Sequence, residues 1–451
     1  MLSVMASASS STHTPMSVSP TATIEEKTHE RDAEIGKNEP APVVLGEPPD
    51  GGLDAWLTVL GSSLVALSTF GLVNGYGAFN DYYETTYLSN YSATVISMIG
   101  SIQVFILYIF GGVAGALFDA YGPRYMIPAS GIITTFALFM LSITKPQQIY
   151  QQFLTQAVLF AIGAPLSFLP GLAVCAHWFK RRLAFAIGFP VGAASIGGII
   201  YPIMLNRLIP KIGFGWTVRI LAFIVLACFT VASFTIKTRR PPKPLPPLAQ
   251  LFAFRAFRDV RFALICAGGW FTVFSTFNPF FYVGVYGAVA NGGESTLTPY
   301  FLAIMCATAI VGRILPGYIA DRVGRFNVIS FSTLLSGILI LALWYTSTAQ
   351  PNLIAFSAVY GFASGPFFSL VTACVAQISP VPEVGARIGM IFVGMSTGAL
   401  AGTPIGGVFI RDPTVANFRH LILFSGIMAL VGSGFFFAAR LMQSRKLFAA
   451  V

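Results

Sequence analysis

Charge is what this sequence has least of. Asp, Glu, Lys and Arg make up 10% of the 451 residues, 55% are apolar, and mean hydropathy is +0.74. Soluble domains carry about a quarter charged residues, so this balance excludes an aqueous globular fold. Acids are scarcest: after Gly51 there are nine, from Asp54 to Asp412, and none stands in the middle of an apolar run. Histidine occurs four times (His13, His29, His177, His420), too scattered for a metal centre or an acid–base pair. The five cysteines sit singly in apolar segments without C-x-x-C spacing, which argues against both a disulfide framework and a bound metal. No G-x-x-x-x-G-K-[ST] loop is present, so a nucleotide-driven machine is not expected, nor is any cofactor or enzymatic activity. The net charge of +10 does not point to nucleic acid, because the cations sit in short loops between apolar runs, where they orient a membrane protein.

What is present is long hydrophobic runs. Residues 1–50 are Ser-, Thr-, Pro- and Glu-rich and read as a disordered tail with neither a secretory leader nor a transit peptide. Apolar spans follow near 53–79, 93–118, 124–144, 152–177, 182–206 and 215–236, then near 262–290, 298–320, 326–347, 352–377, 387–410 and 418–440. Each is long enough to cross a bilayer as a helix. The expected fold is therefore all-α, with twelve membrane helices in two six-helix bundles, 51–236 and 262–440. A Pro-rich basic connector, 237–261, lies between the bundles, and a short tail, 441–451, closes the chain. Cations crowd the loops on the tail side, which predicts both termini in the cytosol of a multi-pass cell-membrane protein.

An internal repeat supports the six-plus-six division. Gly115-Ala-Leu-Phe-Asp119-Ala-Tyr-Gly122-Pro-Arg124 follows the second span, and Gly317-Tyr-Ile-Ala-Asp321-Arg322-Val-Gly324-Arg325 follows the eighth. Glycine lets helix ends pack closely, and the aspartate can accept from a neighbouring helix N-terminus or an arginine. Asp119, Arg124, Asp321, Arg322 and Arg325 are thus expected to latch one face of the protein. These loops resemble the loop motif of the major facilitator superfamily, and the resemblance extends over all twelve spans. Within it, Asp50-Gly51-Gly52 ahead of Trp56 is similar to the approach to the first span in the monocarboxylate porter branch. The fifth-span stretch with Lys180, Arg181, Arg182, Gly188 and Gly192 is similar to that branch's signature, and the long tail looks most like fungal members. The resemblance implies a secondary transporter working by alternating access on a small organic molecule, with the lipid bilayer as its other partner.

Arg313, in AIVGRILPG midway through the eighth span, stands out. A lone guanidinium in hydrocarbon costs several kcal/mol, and no mid-span acid exists to pair it, so it must face a wet cavity or a ligand. In the resembled branch the matching arginine takes the substrate carboxylate. Ala309 and Asn74 stand where proton-coupled lactate carriers of that branch have an acid and a lysine, which speaks against that form of proton coupling. Asn74, Tyr76, Asn278, Tyr282 and Phe367 complete the expected substrate site with Arg313; Gln103, Tyr108, Ser167, Phe168, Tyr286, Phe368 and Ser369 are further cavity candidates. Such a lining suits an amphiphilic, anionic metabolite better than a sugar. Efflux of a secondary metabolite is the expected role. Proton-linked uptake of a monocarboxylate or vitamin-like nutrient, or a sensor that transports nothing, are the alternatives.

Overall fold

The computed structural model describes residues 48–239, 254–292, 300–380, 383–410 and 414–444. Residues 1–47 of the expected tail, most of the connector and the last seven residues lie outside these, while Asp50 at the tail's end is ordered. The described chain is helical, and eleven of its helices are long and apolar enough to span a bilayer. They are α1 (Leu53–Tyr87), α2 (Val95–Tyr121), α3 (Pro123–Ser142), α4 (Ile149–Trp178), Leu183–Thr235, α7 (Val260–Ala290), α8 (Tyr300–Val323), α9 (Arg325–Trp344), α10 (Gln350–Ile378), α11 (Val384–Phe409) and α12 (Val415–Gln443).

Leu183–Thr235 is two spans run together. At Gly213 the backbone takes φ 78°, a left-handed conformation that glycine adopts without a Cβ clash, and the helix breaks there. It yields α5 (183–212) and α6 (214–235), so the chain crosses twelve times. Residues 207–212, expected in a loop, stay helical despite Pro210, and the helix ends at Gly213.

Breaks fall where the chemistry calls for them. Pro165 and Pro366, which lack an N–H, each begin a new helical segment, after Ala164 in α4 and after Gly365 in α10. α1 is interrupted at Thr69 and at Gly75. At the α4 break Ser130 Oγ of α3 donates to the Gly163 carbonyl (2.7 Å), the kind of compensation a membrane interior requires.

The two repeat copies take one geometry, and each motif position has a reason. The last glycine, Gly122 or Gly324, has positive φ (69° and 110°) and turns α2 into α3 and α8 into α9. The first glycine marks a close helix crossing. A Cβ on Gly317 would come within 2.7 Å of the Ala184 carbonyl oxygen, and one on Gly115 would clash with the Gly385 carbonyl. The aspartate then caps the helix it crosses. Asp119 accepts from the amides of Gly385 (3.1 Å) and Ala386 (2.7 Å) at the start of α11, and Asp321 from those of Ala184 (3.1 Å) and Phe185 (2.9 Å) at the start of α5. These contacts join the bundles on the face that also holds Asp50, called here the basic face.

Two of the expected latch residues take no part. Arg124 is exposed and lies over its neighbour Tyr125, and Arg322 lies over Tyr318 one turn back on its own helix. Arg325 does the work instead, because the positive-φ turn at Gly324 aims it inward. It pairs with Asp321 (2.9 Å) and donates across to the Lys180 carbonyl (2.7 Å).

At the start of α7, Asp259 accepts from the Arg261 amide and pairs with its guanidinium. Burial opposes ionisation of Asp259, but the Arg261 hydrogen bonds and charge outweigh it and hold the carboxyl below its usual range.

Candidate functional site

Between the bundles lies a cavity of about 650 Å³. Its walls come from α1, α2, α5, α7, α8, α10 and α11; among the described residues α3, α4, α6, α9 and α12 contribute none. It reaches from Arg313, halfway along α8, to Glu84, Met98 and Leu302 at helix ends opposite the basic face. The basic face is shut by the crossings and caps described above.

Arg313 forms part of the floor. It is 6% exposed, and its Nη1 donates 2.7 Å across the bundle interface to the Val191 carbonyl of α5. Its guanidinium lies 5.7 Å from the ring centre of Phe368, while its Nε has no hydrogen-bond partner. No carboxylate among the described residues pairs with it. α5 can come this close because Gly188 has no side chain: a Cβ there would sit 2.6 Å from the Arg313 carbonyl oxygen. One hydrogen bond and one ring leave a buried cation under-satisfied, a state that favours an incoming anion.

The walls differ by bundle. On the N-terminal side they are polar: Asn74 donates to the Ala194 carbonyl (3.2 Å), Tyr76 donates to the Ile96 carbonyl (3.1 Å), and Asn80 donates to Glu84 (2.6 Å). Ser97, Ser101 and Gln103 of α2 continue this surface. On the C-terminal side they are aromatic: Phe277, Phe280, Phe281, Tyr282 and Phe368. An occupant with one polar edge and one apolar face fits such a slot.

Of the expected substrate residues, Arg313, Asn74, Tyr76 and Tyr282 line the cavity, and Asn278 and Phe367 do not. Asn278 points into its own bundle, where its Nδ2 donates to Ser425 Oγ (2.8 Å). Phe367 packs on Phe436 of α12, and its neighbour Phe368 takes the cavity side. Tyr108 and Ser167 are buried behind the wall, with Tyr108 against Phe70 and Phe392 and Ser167 accepting from Ser130. Sequence reasoning passed over Asn80, Thr276, Phe277, Phe280 and Phe281. A signal existed for part of this: Tyr76, Asn80 and Glu84 recur every four residues, one polar stripe along a helix.

The two stretches singled out beside the repeat meet in space. Asp50 Oδ1 accepts from the amides of Lys180 (2.6 Å), Arg181 (2.7 Å) and Arg182 (3.3 Å), and Trp56 packs edge-on against Phe179, Phe185 and Phe189. Asp50 thus clamps the turn from which α5 starts. Asp50→Ala strips three amides of their acceptor, and a cap of this kind is worth about 1 kcal/mol. A fall of a few degrees in thermal midpoint is expected, with Asp50→Asn recovering much of it.

A family profile described as Major Facilitator Superfamily matches residues 57–350 and 314–447. The chain is 38% identical over 394 residues to the MFS transporter asaE of Aspergillus flavus, covering 87% of this chain and 88% of the relative. It is 36% identical over 400 residues to the fujikurins efflux protein of Gibberella fujikuroi, covering 88% and 85%. Among solved structures, it resembles the proton:xylose symporter XylE, with TM-score 0.67 at 13% identity, over 85% of this chain and 95% of the other. That last likeness concerns the fold.

Proposed function

The chain belongs to the Major Facilitator Superfamily, and from that premise we propose that it exports an amphiphilic organic anion, a secondary metabolite, by alternating access. The observation that carries this is Arg313: a buried cation, without a carboxylate partner, on the floor of a cavity with one polar and one aromatic wall. The anion of the substrate takes the guanidinium, with Asn74 and Tyr76 along one side and Tyr282 along the other. The bundles, 51–236 and 262–440, rock about this site. In the arrangement described the site opens away from the basic face; breaking the latches at Asp119, Asp321 and Arg325 would open it the other way.

The excess of cations supports a basic face, and both termini, in the cytosol of a cell-membrane protein. The Asp50 clamp and the Trp56 cluster support placement in the monocarboxylate porter branch. The named role of the Gibberella relative supports efflux. With Ala309 before Arg313, the proton link of lactate carriers is not part of this reading.

The test compares metabolites inside and outside cells with and without the gene. Loss of the gene should raise at least one amphiphilic acid inside the cell and lower it in the medium. The reverse pattern would favour uptake, and unchanged pools would end the transport reading.

A further inference from the structure

We propose that Gln103 is a second polar contact for the transported molecule, and that this molecule carries a neutral hydroxyl or N–H group besides its acid. This rests on the export reading above, because it concerns the same cavity. Among the described cavity-lining residues, two present a buried polar atom without a hydrogen-bond partner: Arg313, through Nε, and Gln103, through Oε1. Gln103 is 2% exposed, so water does not freely serve it. The other amides of that wall are satisfied, Asn74 by the Ala194 carbonyl and Asn80 by Glu84. A buried amide oxygen left without a partner is costly, and a ligand donor that completes it is favoured. The unpaired atom is the amide oxygen, an acceptor, which matches a hydroxyl or N–H donor on the ligand. Glu84 lies on the same bundle's wall, and its negative charge disfavours a second acid in the cavity. The substrate class is thus a hydroxylated or amide-bearing organic acid, its acid held by Arg313 and its neutral polar group by Gln103, with its apolar face against Phe277, Phe280 and Phe281.

The experiment uses the purified full chain and two probes of equal shape, 6-hydroxy-2-naphthoate and 6-methyl-2-naphthoate, with binding read by calorimetry. The wild type should bind the hydroxy acid about tenfold more tightly, since a site built for a hydroxyl rejects the analogue lacking it. Gln103→Leu should bring the two within twofold, chiefly by weakening the hydroxy acid, with the thermal midpoint retained. Should that variant fail to fold, Gln103→Met, close to glutamine in shape, should do the same. Arg313→Gln should weaken both acids about tenfold or more. Equal affinities in the wild type, or a preference that survives loss of the Gln103 amide, would overturn the role of Gln103 alone if Arg313→Gln still weakens both acids. Binding of neither acid, or binding indifferent to Arg313→Gln, would overturn the anion site together with it.

Discussion

Arg313→Gln is expected to lower transport of the anionic metabolite on the order of a hundredfold while leaving the protein folded. Losing one partner of a buried, charge-assisted pair costs about 2–5 kcal/mol. At 1.4 kcal/mol per tenfold, the middle of that range is a factor of roughly a few hundred. The stability side has the opposite sign. In the ligand-free protein the guanidinium is desolvated and has no counter-ion, so replacing it with a neutral amide should hold or raise the thermal midpoint. A residue that merely held α8 to α5 would behave otherwise, losing stability and activity together. Arg313→Lys is not a conservative control: an ammonium cannot keep the Val191 carbonyl and offer a planar fork to a carboxylate at once, so at least a tenfold loss is expected there too. The measurement is accumulation of the labelled metabolite in inverted membrane vesicles, paired with melting of the purified variants. Full transport by Arg313→Gln would remove the site from this cavity.

The second large effect is expected at the helix crossings. Gly115→Val and Gly317→Val place branched side chains where α2 meets the Gly385 carbonyl of α11 and where α8 meets the Ala184 carbonyl of α5. Backbone cannot yield as a side-chain tip can, so the helices must part and the basic face cannot close. Overpacking costs about 1–3 kcal/mol, enough to shift an evenly poised conformational equilibrium by about fivefold to more than a hundredfold. Cys306 reports it, because this thiol lines the cavity that opens opposite the basic face. Labelling of Cys306 from that side by a membrane-impermeant thiol reagent should fall at least fivefold in either variant, with Cys306→Ala giving the background. Gly434→Ala, where a Cβ meets nothing within 4 Å, should label like the wild type. Undiminished labelling in both valine variants would separate these crossings from closure of the basic face.

Much of this was legible in the chain itself. Twelve stretches without mid-span acids could only be membrane helices, and the paired G-x-[LI]-x-D-x-x-G loops marked two matching halves. The scarcity of acids made Arg313 conspicuous, since no carboxylate remained to neutralise it. The repeat even shows it to be one-sided: four residues before the first motif glycine stands Gly111 in one copy and Arg313 in the other.

Which way each helix turns was decided only by the tertiary structure. Phe368 rather than Phe367 faces the cavity, Phe277 rather than its neighbour Asn278, and Arg325 rather than Arg322 meets Asp321. The reason is the solvent. In water an apolar stripe marks the buried face of a helix, but in a bilayer lipid and protein core are equally apolar, so the stripe loses its meaning. Composition and repetition therefore determined the number of helices, their pairing and the stray cation. The direction of each side chain, and with it the polar wall facing the aromatic one, came from packing among helices that only the folded bundles bring together.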